Sequence, residues 1–147
     1  MTSKEYMNRV RIAEEMLKIV AAKKRHYQEL ATSIGVKLTG MPHGGGNTSK
    51  VETSAVGIAD LQAKLEREEA KYVKLVTEAE ELINRLPQDR FRQLLTLRYL
   101  CNHSWKTIRD EMDYADEKSV FRCHGYALKA LQEIMNNYGQ NDQKESV

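Results

Sequence analysis

Two heptad seams constrain this 147-residue chain more than any other feature of its sequence. Apolar residues recur at alternating steps of three and four from Tyr6 to Ile34, and again from Ile58 to Leu86. A stripe that repeats every 3.5 residues over four heptads is typical of coiled-coil helices, because it keeps one face against a partner helix. Each seam would form about 43 Å of helix. The equal lengths and the glycine-bearing connector predict an antiparallel hairpin over residues 1–86.

Each seam carries one charged residue, and the two charges indicate a register. When the second helix folds back so that Ile58 meets Ile34, Lys24 faces Glu68. A charged pair at a seam position can fix the register of two helices, at some cost in stability. We therefore predict a Lys24–Glu68 pair. The alternative, in which the seams pair between two chains and both charges are ordinary surface residues, stays open.

The connector at about 35–54 is long and rich in glycine, especially over Gly40–Gly46. Connections longer than about 12–15 residues are usually functional or disordered. The stretch GGGNTSK superficially resembles a phosphate-binding loop, but the spacing of that motif is absent. We expect a mobile connector, with a contact to DNA or a partner protein as the alternative, and Thr53 or Ser54 as the N-cap of the second helix.

Composition favours helices throughout, since the chain has only two prolines and two phenylalanines, which argues against a β-sandwich or barrel. No apolar run approaches the roughly 18 residues that span a bilayer, and the charged N-terminus lacks the apolar core of a signal peptide. We therefore expect a soluble, cytoplasmic, all-α protein with no membrane partner. Cys101 and Cys123 form no CxxC motif. Both are expected to be small buried apolar residues rather than a disulfide or zinc ligands.

The C-terminal half, residues 87–138, has the outline of three helices joined by tight polar breaks. Pro87 suits the first turn of a helix, the Asn102–His103 pair interrupts the apolar pattern, and Ser104 and Asp116 are good N-caps. Residues 139–147 are predicted to be a disordered tail. The order of helix, tight turn and longer helix predicts a helix-turn-helix, with its last helix at about 116–131 in the major groove of DNA.

The predicted recognition helix belongs to a basic part of the chain. Residues 90–131 hold eight Lys/Arg against five Asp/Glu, whereas residues 51–89 hold five against nine. The candidate DNA-binding residues are Lys106, Arg109, Lys118, Ser119, Arg122, Tyr126 and Lys129. We expect those near the start of the last helix to reach bases, and Lys106 and Arg109 to hold phosphates. For Arg109 and Lys129, ordinary solvated charge is the alternative. Because the excess charge is modest, tight binding is expected to need a homodimer or a second partner.

The stretches LPQDRFRQLLTLRYLCNHSWKTIRDEM and SVFRCHGYALKAL together resemble the region 4 helix-turn-helix of sigma-70-type transcription factors. They resemble especially the small sigma-like regulators of phages and prophages, of the ArpU type. Asp113 stands where the turn of that family usually has glycine. The resemblance implies a transcriptional regulator of phage or prophage genes in a bacterial host cell. It also implies that Lys118, Ser119, Arg122 and Tyr126 face promoter double-stranded DNA, with RNA polymerase as a further partner.

Two other functions are compatible with the same pattern. A small terminase-like DNA-packaging protein also joins a helix-turn-helix to an oligomerising coil, and a coiled-coil adaptor would use the helix-turn-helix to bind protein. An enzyme is not expected, because the sequence offers no paired carboxylates, nucleophile–base set or metal cluster in a plausible arrangement. We accordingly predict no catalytic residue, no metal and no cofactor.

Overall fold

The structure, a computed structural model, describes the backbone of residues 1–39 and 48–145 and the side chains of residues 1–33 and 55–139. Within those residues the α-helices are α1 (Ser3–Thr39), α2 (Thr48–Asn84), α3 (Asp89–Leu95), α4 (Trp105–Glu111) and α5 (Glu117–Glu145). A π-helical turn, Thr96–Leu100, directly continues α3. The described residues contain no β-strand, and the predicted all-α class is confirmed.

Both long helices extend further into the predicted connector than the seams indicated. Helix α1 ends at Thr39 and α2 begins at Thr48, so Thr53 and Ser54 lie inside α2 rather than at its N-cap. The Gly40–Gly46 segment lies outside the described residues. At the other end of the chain, α5 continues to Glu145, beyond the tail boundary at residue 138 that the sequence suggested.

The chain divides into two compact units, each with its own packing. The first unit comprises Met1–Glu15 and Tyr72–Val147, and therefore contains the start of α1, the end of α2 and all of α3, α4 and α5. The second unit is Met16–Lys71, the remainder of the two long helices and their connector.

The first unit packs its helices around one apolar core. The long helices contribute Tyr6, Met7, Val10, Ala79, Leu82, Ile83 and Leu86. The C-terminal helices and their turns contribute Leu94, Leu95, Tyr99, Ile108, Met112, Val120, Cys123, Ala127 and Leu131. Residues near the start of α1 thus share a core with residues near the end of α2, so the two helices run antiparallel here, as predicted. Each large apolar side chain buried in this way contributes about 1.5–3 kcal/mol.

Hydrogen bonds attach the start of α1 to α5. Thr2 and Glu5 form a capping box, in which Glu5 N–H donates to Thr2 Oγ1 at 3.2 Å and Thr2 N–H donates to Glu5 Oε2 at 2.8 Å. The buried Ser3 hydroxyl donates to the carbonyl of Leu128 at 2.7 Å, and Ser3 N–H donates to Gln132 Oε1 at 2.6 Å. The first turn of α1 is therefore bonded to the middle of α5.

The second unit is a pair of helical segments with little interior. Among its described side chains, Val20 and Leu65 are the only buried apolar ones, and the predicted seam residue Leu61 is 42% exposed. Lys24 Nζ lies 2.9 Å from Glu69 Oε2. Lys24 thus forms a salt bridge with Glu69, the residue after its predicted partner Glu68. Glu69 lies at the edge of the seam, where a lysine can pack its methylene groups and keep its ammonium group in water.

Candidate nucleic-acid interface

The turn between α4 and α5 is built as a Schellman motif. Tyr114 N–H donates to the carbonyl of Arg109 at 3.0 Å, and Asp113 N–H donates to the carbonyl of Asp110 at 3.4 Å. Asp113 has φ 57°, a left-handed conformation that glycine adopts most readily and that Asn and Asp adopt more readily than other residues. Asp113 therefore takes the backbone conformation for which such turns commonly use glycine, and the turn between α4 and α5 is tight.

The N-caps predicted for α4 and α5 are both confirmed. Ser104 Oγ accepts a hydrogen bond from Thr107 N–H at 3.2 Å at the start of α4. Asp116 Oδ1 accepts one from Ser119 N–H at 2.8 Å at the start of α5. The hydrogen bonds from Ser119 keep the pKa of the Asp116 carboxyl below its ordinary value. These caps satisfy amide groups that a helix start otherwise leaves free, and they determine where each helix begins.

The exposed face of α5 lies opposite its buried face. The buried side is formed by Val120, Cys123, Ala127 and Leu131. At about 100° per residue, the opposite side is an arc of about 60° that we call the basic stripe, formed by Lys118, Arg122, Gly125 and Lys129. All four of its residues are exposed, and no acidic residue occurs between Glu117 and Glu133. Within the described part of the chain, none of the three cations forms a salt bridge.

On one flank of the basic stripe, α3, α5 and the turn before α5 enclose a groove of about 350 Å³. Three predicted site residues, Ser119, Arg122 and Tyr126, line this groove. Arg90 of α3 lines it as well, with its guanidinium carbon 4.7 Å from the centre of the Tyr114 ring. Arg90 was not among the residues predicted to bind DNA. In the sequence, its only signal was its contribution to the net positive charge of residues 90–131. The sequence contains no other sign of Arg90, because only the fold brings α3 beside α5.

On the other flank, an aromatic cluster joins the π-helical turn, α4 and α5. The Trp105 ring meets Phe121 edge-on, with 5.2 Å between ring centres, and His124 at 4.7 Å. The guanidinium carbon of Arg98 lies 4.2 Å from the centre of the Trp105 ring. Despite these contacts Phe121 remains 47% exposed beside the basic stripe. The cluster holds α4 against α5 and leaves one aromatic surface in contact with solvent.

His124 is the half-buried member of this cluster. Its Nε2 lies 2.6 Å from the hydroxyl oxygen of Tyr99. Burial, together with the positive charges of Lys4 and Arg98, lowers the pKa of His124 to about 4. The imidazole is therefore neutral at pH 7 and serves as a packed, hydrogen-bonded side chain.

The remaining predicted site residues lie on α4. Lys106 is exposed, whereas Arg109 is only partly exposed and its Nε lies 3.1 Å from Asp110 Oδ1. The fold thus brings Ser119, Arg122 and Tyr126 into one groove and places Lys118 and Lys129 on the adjoining stripe. Of the two α4 cations, Lys106 is the one whose charge is not already engaged by a neighbouring carboxylate.

The two cysteines differ in environment, and both are free thiols. Cys123 is buried, as predicted, whereas the prediction for Cys101 is wrong, since that residue is exposed. Cys101 follows the π-helical turn, just before Asn102 reverses the chain with φ 56°, and so does not face the core. Among the described residues, no group of three or more His, Cys, Asp and Glu is arranged to hold a metal ion. Likewise, no helix in the described part of the chain is both long and apolar enough to cross a bilayer.

Comparisons with protein-family models, with curated proteins and with solved structures found no match to this chain. The resemblance to sigma-like phage regulators therefore rests on the sequence motifs themselves. What supports a function beyond those motifs is the charge and geometry of α5 and its surroundings.

Proposed function

We propose that the protein is a DNA-binding transcriptional regulator that inserts α5 into the major groove of double-stranded DNA. The observation that carries the proposal is the basic stripe, whose three cations lie on an exposed helix face with no acidic residue between Glu117 and Glu133. Lysine and arginine bind DNA by displacing condensed counterions from phosphates, and they are the commonest readers of guanine. Because the stripe is opposite the buried side of α5, the helix can enter a groove without exposing the core.

The surroundings of α5 support this mode of docking. Arg90 lines the same groove as Arg122, from a different helix, and so offers a second cation beside the recognition helix. Lys106 is exposed in the first turn of α4. Contacts of this kind to phosphates fix the orientation of a protein on DNA without reading sequence. We assign base contacts to Lys118 and Arg122, and phosphate contacts to Arg90, Lys106 and Lys129.

The promoters of phage or prophage genes are the DNA that the sequence resemblance suggests, in the cytoplasm of a bacterial host. Residues 90–131 carry a net charge of only +3. A small number of phosphate contacts gives weak binding at physiological salt, so we propose that a homodimer or a contact to RNA polymerase supplies the remaining affinity.

The test is binding of the full-length protein to a pool of random-sequence duplex DNA, measured by fluorescence anisotropy across a range of salt concentrations. The double variant Lys106→Ala/Lys129→Ala, which removes two of the proposed phosphate contacts, is expected to bind about tenfold more weakly or worse, and to reduce the salt slope by about two. The matched control is Lys71→Ala/Lys74→Ala, which removes two exposed cations from α2. Absence of binding by the wild-type protein, or an equal loss in the control, would falsify the proposal.

The second candidate is a protein-interaction adaptor that binds its partner through α1 rather than through the helix-turn-helix, and exposed apolar residues on α1 favour it. Ile19 and Leu30 are 45% and 39% exposed and lie eleven residues apart, which places them on one face of the helix. An adaptor would bind its protein partner normally when Lys118 and Arg122 are replaced, and would lose it when Ile19 and Leu30 become Ser. A terminase-like packaging protein would instead form ring-shaped oligomers, which mass measurement in solution would reveal.

A further inference from the structure

Gly125 lies in the interior of α5, eight residues after the first residue of that helix. Glycine is less favourable than alanine in a helix interior, because its backbone loses more conformational freedom on folding. Nothing in the described part of the protein compensates for this loss. Gly125 does not have a positive φ, and a Cβ atom at this position would have no neighbour within 4 Å. Neither backbone conformation nor internal packing explains the glycine.

Open space alone does not distinguish Gly125, since Gly57 and Gly139 also have no neighbour within 4 Å. Gly125 differs from them in its surroundings. It belongs to the basic stripe, with Arg122 one turn before it and Lys129 one turn after it. Gly139 points to nearly the same side of α5, but it lies about 21 Å further along the helix and beyond Glu133. Gly139 is therefore a matched control for Gly125.

We propose that Gly125 is the position at which α5 comes closest to the floor of the major groove, and that it determines DNA sequence specificity. This inference rests on the proposed function. The major groove is about 12 Å wide and a helix with its side chains is about 10–12 Å across, so side chains on the inner face limit how deeply a helix enters. Lysine and arginine can extend along the groove toward phosphates, whereas a side chain at position 125 would point at the bases.

Phe121, one turn before Gly125, indicates which bases lie there. It is a large apolar side chain that stays 47% exposed next to the basic stripe, and its edge-on contact with Trp105 holds the ring in place. An exposed aromatic ring in the major groove is suited to contact the methyl group of thymine, and arginine is suited to guanine. The preferred site therefore contains a thymine opposite Phe121 and a guanine opposite Arg122.

The experiment compares Gly125→Ala and Gly125→Leu with Gly139→Ala and Gly139→Leu in the full-length protein. Binding is measured to a duplex selected by the wild-type protein from a random pool, and to the unselected pool. Both alanine variants are expected to raise the melting temperature by about 2–4 °C. Gly125→Ala should bind the selected duplex about tenfold more weakly, and Gly125→Leu more weakly still, with pool binding nearly unchanged. Both Gly139 variants should bind like the wild type.

The outcomes separate this inference from the proposed function. If the wild-type protein selects no duplex, the proposed function fails. A second outcome is that the wild-type protein selects a duplex, Lys118→Ala/Arg122→Ala no longer binds that duplex, and Gly125→Leu still does. The role of Gly125 is then overturned and DNA binding stands. An equal loss of selected and pool DNA would overturn the contact with bases.

Replacing thymine by uracil, one position at a time, tests the Phe121 contact in the selected duplex. At one position the replacement should weaken binding of the duplex by the wild-type protein. The same replacement should not change binding by Phe121→Ala, whose folding is checked by thermal melting. If no position behaves in this way, the Phe121 contact is overturned.

Discussion

The two compact units use the same two long helices differently. In the second unit, Val20 and Leu65 are the only buried apolar side chains among those described, and other seam residues such as Leu61 stay exposed. In the first unit most seam residues are buried, and so are Met7 and Ile83, which lie outside the seam. Two helices by themselves can cover only one stripe of each other. Additional helices cover additional sides, and this is what α3, α4 and α5 do in the first unit.

The unit with the deep core is also the one that carries the basic stripe. The part of α5 that bears the stripe is packed on its opposite side, bonded to Ser3 at Leu128 and Gln132, and joined to α4 by the Trp105 cluster. A helix fixed in this way would lose little further conformational freedom on binding DNA as proposed, which favours affinity. We therefore expect stability and DNA binding to depend on the first unit, and substitutions in the second unit to have small effects.

The largest contrast is expected from leucine truncations. Leu131→Ala removes a fully buried side chain from the first unit and should lower the free energy of unfolding by about 3 kcal/mol. Leu61→Ala removes a side chain that is 42% exposed in the second unit, and should cost less than about 1 kcal/mol. Urea denaturation measures both. Equal costs would show that the second unit has a core as effective as that of the first.

A pH effect of about 1–2 kcal/mol, reduced by solvent screening of the half-buried ring, is expected from His124. Its pKa is about 4 in the folded protein against an ordinary value of 6.5. Between these values the unfolded chain binds a proton that the folded protein does not. Stability should therefore fall as pH decreases from 6.5 toward 4, and should not depend on this residue above 6.5. His124→Gln should flatten this part of the profile, whereas His26→Gln, in the second unit, should not. If both variants keep the wild-type profile, His124 is not the titrating group.

The hydrogen bond between α1 and α5 is expected to contribute about 1 kcal/mol. Ser3→Ala removes the donor to the carbonyl of Leu128 and should lower the free energy of unfolding by that amount. Ser33→Ala, an exposed position on the same helix but in the second unit, is the control and should change stability by less than about 0.5 kcal/mol. A Ser3→Ala protein as stable as the control would mean that the hydroxyl hydrogen bond to Leu128 does not contribute to the attachment of α1 to α5.

The smallest effect is expected from the Lys24–Glu69 salt bridge of the second unit. Both side chains are about one-third exposed, so solvent and salt screen their attraction. Lys24→Gln should lower the free energy of unfolding by less than about 0.5 kcal/mol, and by less still in high salt. A loss above about 1 kcal/mol, measured by denaturant unfolding at two salt concentrations, would show that this pair fixes the helix register.

Much of the first unit was predictable because its signals are local or periodic. The caps at Ser104 and Asp116 and the break at Asn102 follow from what single residues do to the adjacent backbone. The buried side of α5 follows from apolar spacing. The burial of Met7 and Ile83 was not predicted, because neither residue belongs to a heptad seam. Apolar residues beside a seam are nevertheless a sign that a helix faces more than one neighbour. The exposure of Cys101 was missed because it depends on the direction in which the chain leaves the π-helical turn.

The sequence by itself determined that this chain is helical, where its last two helices begin, and that one face of its last long helix is basic. These properties depend on hydrogen bonds within a turn and on a period of 3.6 residues. Only the tertiary structure placed Arg90 beside Arg122, bonded Ser3 to α5, and gave Lys24 the partner Glu69. Contacts between residues far apart in the chain depend on the angle and register at which helices pack, and no short stretch of sequence encodes these.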